Sequence, residues 1–255
     1  MMAEPLLTRD VFLDGRLSAW QPKDGYRAAT DPLLLAAAVP ARPGQRVLEL
    51  GCGAGVALLA LGLRVPGLSL RGVERQAEYA ALARRNGAEN GVDLQVTEAD
   101  LVALPPELRE GFDHVMANPP YYRPGSPPAR DAGRDAALRE ETPLAEWVGT
   151  GLRRAKSGGF LTLIHLAERL PEILAALGGR ASATVRPIAA REGRAAGRVL
   201  VQARKGGRAP FRLLAPLVMH EGPAHRADGD DFTPGAQAIL RHAQALDWGD
   251  SAVSA

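Results

Sequence analysis

Arg46-Val-Leu-Glu-Leu-Gly-Cys-Gly-Ala-Gly-Val-Ala-Leu-Leu-Ala60 holds a short β-rich run, three glycines at alternate positions, and an apolar segment of helical character. A strand at 46–50, a sharp turn and a helix at 56–64 predict one βα unit. The same alternation continues downstream. Leu68–Glu74 is a second strand, Glu78–Asn90 a helix stopped by Asn90-Gly91, and Leu94–Thr97 a third strand. Phe112–Ala117 is a fourth, ended by Asn118-Pro119-Pro120 because proline cannot donate to a ladder. Pro143–Ala155 and Glu168–Leu177 read as helices around a fifth strand at Gly159–His165. Ser182–Ile188, Arg198–Arg204 and Phe211–Met219 read as antiparallel strands finishing one edge. Thr233–Ala245 reads as a last helix, with Pro234 after a Thr233 cap. The pattern predicts an α/β chain with a doubly wound, mostly parallel seven-stranded sheet and an antiparallel edge. Residues 1–45 form an N-terminal cap segment, 46–220 the main domain, and 221–255 an extension with an acidic loop. The Pro-, Gly- and Arg-rich stretch 121–142 is a loop long enough to be functional.

The chain has 255 residues, 46% hydrophobic and 24% charged, which suits a domain with a buried core. One cysteine excludes a disulfide scaffold. The longest apolar stretches, Leu33–Val39 and Val56–Leu63, fall short of the roughly 18 to 20 residues of a membrane span. The first fifteen residues carry acids and no basic-then-apolar leader, so a cytoplasmic protein without membrane contact is expected. A net charge of +2 excludes binding to nucleic acid by bulk charge. Charge is nonetheless unevenly placed. Arg180, Arg186, Arg191, Arg194, Arg198, Arg204, Lys205, Arg208 and Arg212 form a strip interrupted only by Glu192, and only Lys23, Lys156 and Lys205 among the 31 basic residues are lysines. Arginine suits phosphate forks and base stacking. The strip and the arginines of 123–139 are candidate phosphate contacts, and the strip reads equally as a solvated face.

Glycines at Gly51, Gly53 and Gly55 let the backbone turn tightly beneath a helix N-terminus, a place where dinucleotide enzymes hold a pyrophosphate. Here Glu49 stands two residues before the first glycine. A carboxylate there repels a pyrophosphate and attracts a cation, which favours S-adenosylmethionine with its ammonium and sulfonium. Glu74, at the end of strand two, is placed to accept from ribose hydroxyls. Asp100, after strand three, is placed to accept from an adenine amino group, with Leu101 against the ring. Three acids at three successive strand ends make a constellation that each alone does not.

At the end of strand four, Asn118-Pro119-Pro120-Tyr121 suits methyl transfer to an exocyclic amine. Such a nitrogen is a poor nucleophile because its lone pair is delocalised into the ring. Two acceptors, the Asn118 side-chain oxygen and the Pro119 carbonyl, favour the tetrahedral geometry needed for attack. Asn118 also borders the cofactor, Pro120 keeps the loop rigid, and Tyr121 offers a ring for a splayed base. Tyr122 and Arg123 follow as candidate substrate contacts, joined by Arg204 and Lys205 in the strip.

Glu49–Gly55 together with Asn118–Tyr121 resembles the class I S-adenosylmethionine-dependent amino-methyltransferases, which have a Rossmann-like fold. More narrowly, Gly25-Tyr26-Arg27, Thr30-Asp31 with Leu33-Leu34-Leu35, Asn118–Tyr122 and Arg198-Val199-Leu200 resemble the bacterial tRNA1(Val) (adenine-N6)-methyltransferase family. The resemblance implies an enzyme methylating an adenine beside the anticodon of a tRNA, with the segment around Tyr26–Asp31 closing over the cofactor; a monomer is expected, although the sequence does not fix the oligomeric state. The chain departs from that pattern in Lys205–Pro210 and in the acidic Asp228–Asp231. Two alternatives share the amine-binding loop: methylation of a glutamine amide in release factors and methylation of ribosomal RNA. Cys52 sits where a small packing residue is needed, and the five histidines have no zinc-like spacing with it, so no metal is expected.

Overall fold

The computed structural model describes residues 6–109, 111–121, 142–223 and 231–249. The main sheet contains β3 (Arg46–Leu50), β4 (Ser69–Glu74), β5 (Leu94–Glu98), β6 (Phe112–Ala117), β7 (Ala155–Leu166), β8 (Ala181–Ala189) and β9 (Ala196–Lys205). Two short strands, β10 (Arg212–Leu213) and β11 (Leu217–Val218), both pair with β8. The order is β10-β8-β9-β7-β6-β3-β4-β5. All pairings are parallel except those of β9 with β7 and β8. The doubly wound parallel sheet is therefore present. One expectation is corrected: Phe211–Met219 is not an antiparallel strand but two two-residue strands running parallel to β8, separated where Leu214 donates its N–H to the Val185 carbonyl.

The strand interiors are apolar because both faces are covered. Side chains alternate across β3 and β6. Val47 and Met116 enter the cluster beneath α1 (Asp31–Ala38), α2 (Val56–Arg64) and α6 (Pro234–Leu240), while Leu48, Leu50, Val115 and Ala117 enter the one beneath α4 (Leu144–Arg154) and α5 (Leu170–Leu177). Chain order reverses between β3 and β6, and the carboxyl ends of these strands open a crevice there.

The N-terminal segment contains two strands that the sequence reading did not assign. β1 (Leu7–Phe12) and β2 (Leu17–Pro22) form an antiparallel hairpin around Asp14-Gly15, where Leu13, Asp14 and Gly15 all have positive φ. The signal was the Asp-Gly pair between runs with Leu17, Ala19 and Gln21 on one face. The hairpin docks on α3 (Ala77–Glu89) through asparagines. Fully buried Asn86 accepts from the Trp20 N–H at 2.8 Å and donates to the carbonyls of Trp20 (3.1 Å) and Ala54 (2.9 Å), so one amide joins hairpin, helix and glycine turn. Asn90 accepts from Ser18 N–H and donates to Ser18 O. Asn86→Ala removes the partner of three backbone groups, one of them, the Ala54 carbonyl, in a buried hydrogen bond. The expected cost is about 2–3 kcal/mol, or roughly 5–10 °C in Tm, read by thermal unfolding.

The last helix ends at Leu240, earlier than its sequence suggested, after which Ala243 takes positive φ and the chain turns back onto α1. Leu246 N–H donates to Ala37 O and Trp248 Nε1 to Ala38 O. Much of the basic strip fastens this segment. Arg186 donates to Ala215 O and Asp247 O, Arg212 to Trp248 O, and Arg191 pairs with Asp231 at 2.5 Å. Arg180 instead satisfies the last carbonyls of α5, Ala176 and Leu177. The strip is thus not one continuous RNA face. A planar fork of donors serves free carbonyls as well as it serves phosphates.

Candidate active site

A cavity of about 500 Å³ opens at the carboxyl ends of β3, β4 and β6, lined by residues of the glycine turn, Glu49, Glu74, Asp100, Leu101 and the whole Asn118–Tyr121 loop. Gly51, Gly53 and Gly55 all have positive φ, but for different ends. At Gly51 a Cβ would stand 2.6 Å from Trp147 Cη2, so the turn closes directly over that ring. Gly55 does not line the cavity. Its Cβ would meet Ala83 and Leu94 at 3.2 Å, making it a packing glycine at the start of α2 and not a cofactor contact. Cys52 is buried, and burial pushes its thiol pKa up. Its Sγ would lie 2.7 Å from a Cβ at Gly72, consistent with packing.

The three acids converge on the cavity in distinct states. Glu74 accepts from Gly53 N–H and Gln76 N–H, each at 2.9 Å, which ties the end of β4 to the glycine turn. Asp100 accepts from Val102 N–H at 3.0 Å. Glu49 is 3% exposed and its Oε2 has no partner. Burial holds its carboxyl well above the usual range; the Leu58 N–H offsets part of this, and the nearby Glu74 charge adds to it. An orphaned carboxyl oxygen on a residue lining the cavity fits a cationic ligand. On this donor set, Glu49 suits the ammonium, Glu74 the ribose and Asp100 the adenine of S-adenosylmethionine.

Asn118 is gripped by two phenols. Its Nδ2 donates to Tyr26 Oη at 3.0 Å, and its Oδ1 faces Tyr121 Oη at 3.0 Å. Tyr26 in turn accepts at its carbonyl from Tyr79 Oη (3.1 Å) and lies over Gly53, so the N-terminal segment lines the same cavity. The loop backbone is held from below. His165 Nδ1 accepts from the Leu166 N–H at 2.8 Å, which leaves the proton on Nε2 to donate to Pro120 O at 3.3 Å. Burial, then the Arg169 charge, lowers the His165 pKa to about 4, so the ring stays neutral. Arg169, buried and paired with Glu172, donates to Tyr121 O. Among the described residues no donor reaches the Pro119 carbonyl. Arg198 lies over the Tyr121 ring at 5.3 Å, and His165 makes a T-shaped contact with it at 5.4 Å between centroids.

Sequence reasoning overlooked His165, Arg169 and Trp147 as supports of this site, because a buried histidine, arginine or tryptophan in a strand or helix looks the same whatever it touches. The structure does not bring Arg204 and Lys205 to the cleft. Arg204 pairs with Phe160 in the middle of β7, about 20 Å along β9 from Arg198, which is opposite Leu166 at the end of β7. Tyr122 and Arg123 lie outside the described residues. A smaller cavity of about 170 Å³, lined by Leu101, Arg109, Thr150, Arg153 and Arg154, adjoins the first through Leu101. Lys205 Nζ donates to Arg153 O and Ala155 O, so it belongs to this basic group. Among the described residues no His/Cys/Asp/Glu group could hold a metal, and no helix is long and apolar enough to cross a membrane.

Residues 28–129 match the family model of the methyltransferase small domain. The chain is 34% identical over 129 residues to a tRNA1(Val) (adenine(37)-N6)-methyltransferase of Enterobacter sp. (strain 638), a match covering 49% of this chain and 53% of that protein. It thus spans about half the length of this curated relative. A crystal structure described as a predicted O-methyltransferase, protein Atu636 from Agrobacterium tumefaciens, is 31% identical, with a TM-score of 0.69 over 85% of this chain and 98% of that one. A Thermus thermophilus 16S rRNA N2 G1207 methyltransferase in complex with AdoMet and guanosine shares the fold at TM-score 0.53 and 18% identity, over 78% of this chain and 50% of that one. With a near-complete match at 31% identity, a shared sheet and an intact glycine turn, the chain belongs to the Rossmann-like class I methyltransferases that carry the methyltransferase small domain.

Proposed function

We propose that this protein transfers a methyl group from S-adenosylmethionine to the exocyclic amine of an adenine in tRNA, in the cytoplasm. The observation that carries the reading is the Asn118–Tyr121 loop at the rim of a cavity whose inner wall holds Glu49, Glu74 and Asp100. Bound there, S-adenosylmethionine supplies an electrophilic methyl on a sulfonium. The chain's part is positional. Asn118 Oδ1 and Pro119 O accept the two N–H groups of the amine, His165 and Arg169 keep the loop from relaxing, and Tyr121 offers its ring to the base. Residues 1–45 act as the cap, with Tyr26 as its contact to both Asn118 and the turn. Curated relatives named for tRNA adenine methylation support the choice of substrate. An unstacked loop base is also cheaper to splay out than a duplex base.

The test is incubation of the purified protein with S-adenosylmethionine and unmodified total tRNA, followed by digestion and mass spectrometry. N6-methyladenosine is expected. Methylated glutamine in release factors with unmodified tRNA would overturn the reading.

Phosphate contacts are assigned to Arg204 and Lys205 together with Arg109 and Arg154. Arg154 has no partner among the described residues, and its pKa is lowered by burial and by the charges of Arg153 and Arg109, a setting that an anion relieves. Neutralising Arg154 and Arg204 to glutamine is expected to weaken tRNA binding and to reduce the salt slope by about 0.7–0.9 per contact, with turnover at saturating tRNA unchanged. Filter binding at several salt concentrations reads this. An unaltered slope removes these residues from the interface.

A further inference from the structure

One proton lies between three oxygens at the centre of the loop. The Tyr121 hydroxyl faces both Asp31 Oδ2 and Asn118 Oδ1, and it has a single hydrogen to give. The carboxylate takes it, because a charged acceptor outcompetes a neutral amide oxygen. Asp31, the first residue of α1, is held in turn by Arg198 Nε at 2.6 Å, reaching across from β9. Two oxygens, Tyr121 Oη and Asn118 Oδ1, are then left 3.0 Å apart with no hydrogen between them, while Tyr26 pins the amide's other end. Such a pair is uncomfortable until an N–H arrives.

We propose that Asp31, braced by Arg198, is a positioning residue that keeps the Tyr121 proton off Asn118, so that the Asn118 oxygen stays open to the substrate's amino group. This rests on the amine-methylation reading above but assigns a task to two residues outside the loop. Burial and the Asp31 charge hold the Tyr121 phenol far above its ordinary pKa, so the proton remains on Tyr121, directed at Asp31. Without the carboxylate the hydroxyl can swing onto Asn118 Oδ1 and fill it. The consequence has an unusual sign. Asp31→Asn should damage turnover more than Tyr121→Phe, and adding Tyr121→Phe to Asp31→Asn should restore activity, because no hydroxyl then remains to block Asn118.

The experiment compares D31N, Y121F and the double variant for kcat, for the KM of tRNA, for S-adenosylmethionine affinity by calorimetry, and for Tm of the free protein. Expected are a 10- to 100-fold fall in kcat for D31N, cofactor affinity within twofold of wild type, and return of the double variant to the Y121F level. The Tm losses of the single variants should not add, since each breaks the same hydrogen bond. Additive losses in kcat, or additive Tm shifts, overturn the proposal and leave Asp31 as a structural ion pair. If the wild-type protein methylates no RNA, the functional reading fails, while the Tm cycle in free protein still decides the Asp31–Tyr121 link.

Discussion

Asn118→Ala lowers kcat by about 10²–10³-fold and leaves S-adenosylmethionine affinity within a few fold of wild type. The size follows from removing one aimed acceptor of a charge-developing group, comparable to deleting one donor from an oxyanion hole, about 3–4 kcal/mol. The split between kcat and cofactor binding follows from position. Glu49, Glu74 and Asp100 lie on the inner wall, while Asn118 sits at the rim between Tyr26 and Tyr121, contacting phenols and not the glycine turn. Truncation also strips Tyr26 Oη of a donor, so Tm is measured alongside; a loss of more than a few degrees marks a disturbed cap. Single-turnover kinetics with saturating tRNA separate chemistry from binding. Equal losses in turnover and cofactor affinity would show that Asn118 maintains the cavity's shape and has no part in the transition state.

The sheet was legible because both its faces are buried and two central strands are stopped by glycine, asparagine and proline: Gly51 after β3, Asn118-Pro119 after β6. The acids and the amine loop were legible because strand ends of a doubly wound sheet meet in one crevice, so position along the chain stands in for position in space. What stayed hidden comes from contacts between distant segments. Asp31 and Arg198 are 167 residues apart, and nothing in either neighbourhood says that they meet beside Tyr121. Asn86 looked like any polar residue on a helix, yet it is fully buried and holds the hairpin to the glycine turn. Arginine composition misled most. A run of guanidiniums reads as a phosphate surface, whereas Arg180, Arg186, Arg191 and Arg212 serve carbonyls and a carboxylate of the chain itself.

Glu49→Gln is expected to weaken S-adenosylmethionine binding by roughly 10²-fold at pH 8 and to abolish most of its pH dependence. In the free protein the Glu49 carboxyl is buried beside Glu74 with one oxygen unpartnered, and its pKa is raised. A raised carboxyl binds its proton more tightly folded than unfolded. Its stabilising contribution is therefore complete below the unfolded pKa of about 4.3 and is lost as pH rises through the folded value. Wild-type Tm relative to Glu49→Gln must then fall with increasing pH, because glutamine does not titrate. Ligand binding has the opposite slope. A bound ammonium favours the carboxylate, so binding expels the proton, and wild-type affinity climbs with pH until Glu49 is ionised in the free protein too. Loss of that charge at a desolvated site costs about 2–3 kcal/mol, which sets the expected weakening. His165 and His114, both lowered to about 4, titrate in wild type and variant alike, and their contribution cancels in the comparison. Calorimetry in two buffers of different ionisation enthalpy reads the released proton directly. Equal proton release from wild type and Glu49→Gln would place the cofactor's ammonium elsewhere in the cavity and leave Glu49 as a buried acid that only tightens the turn.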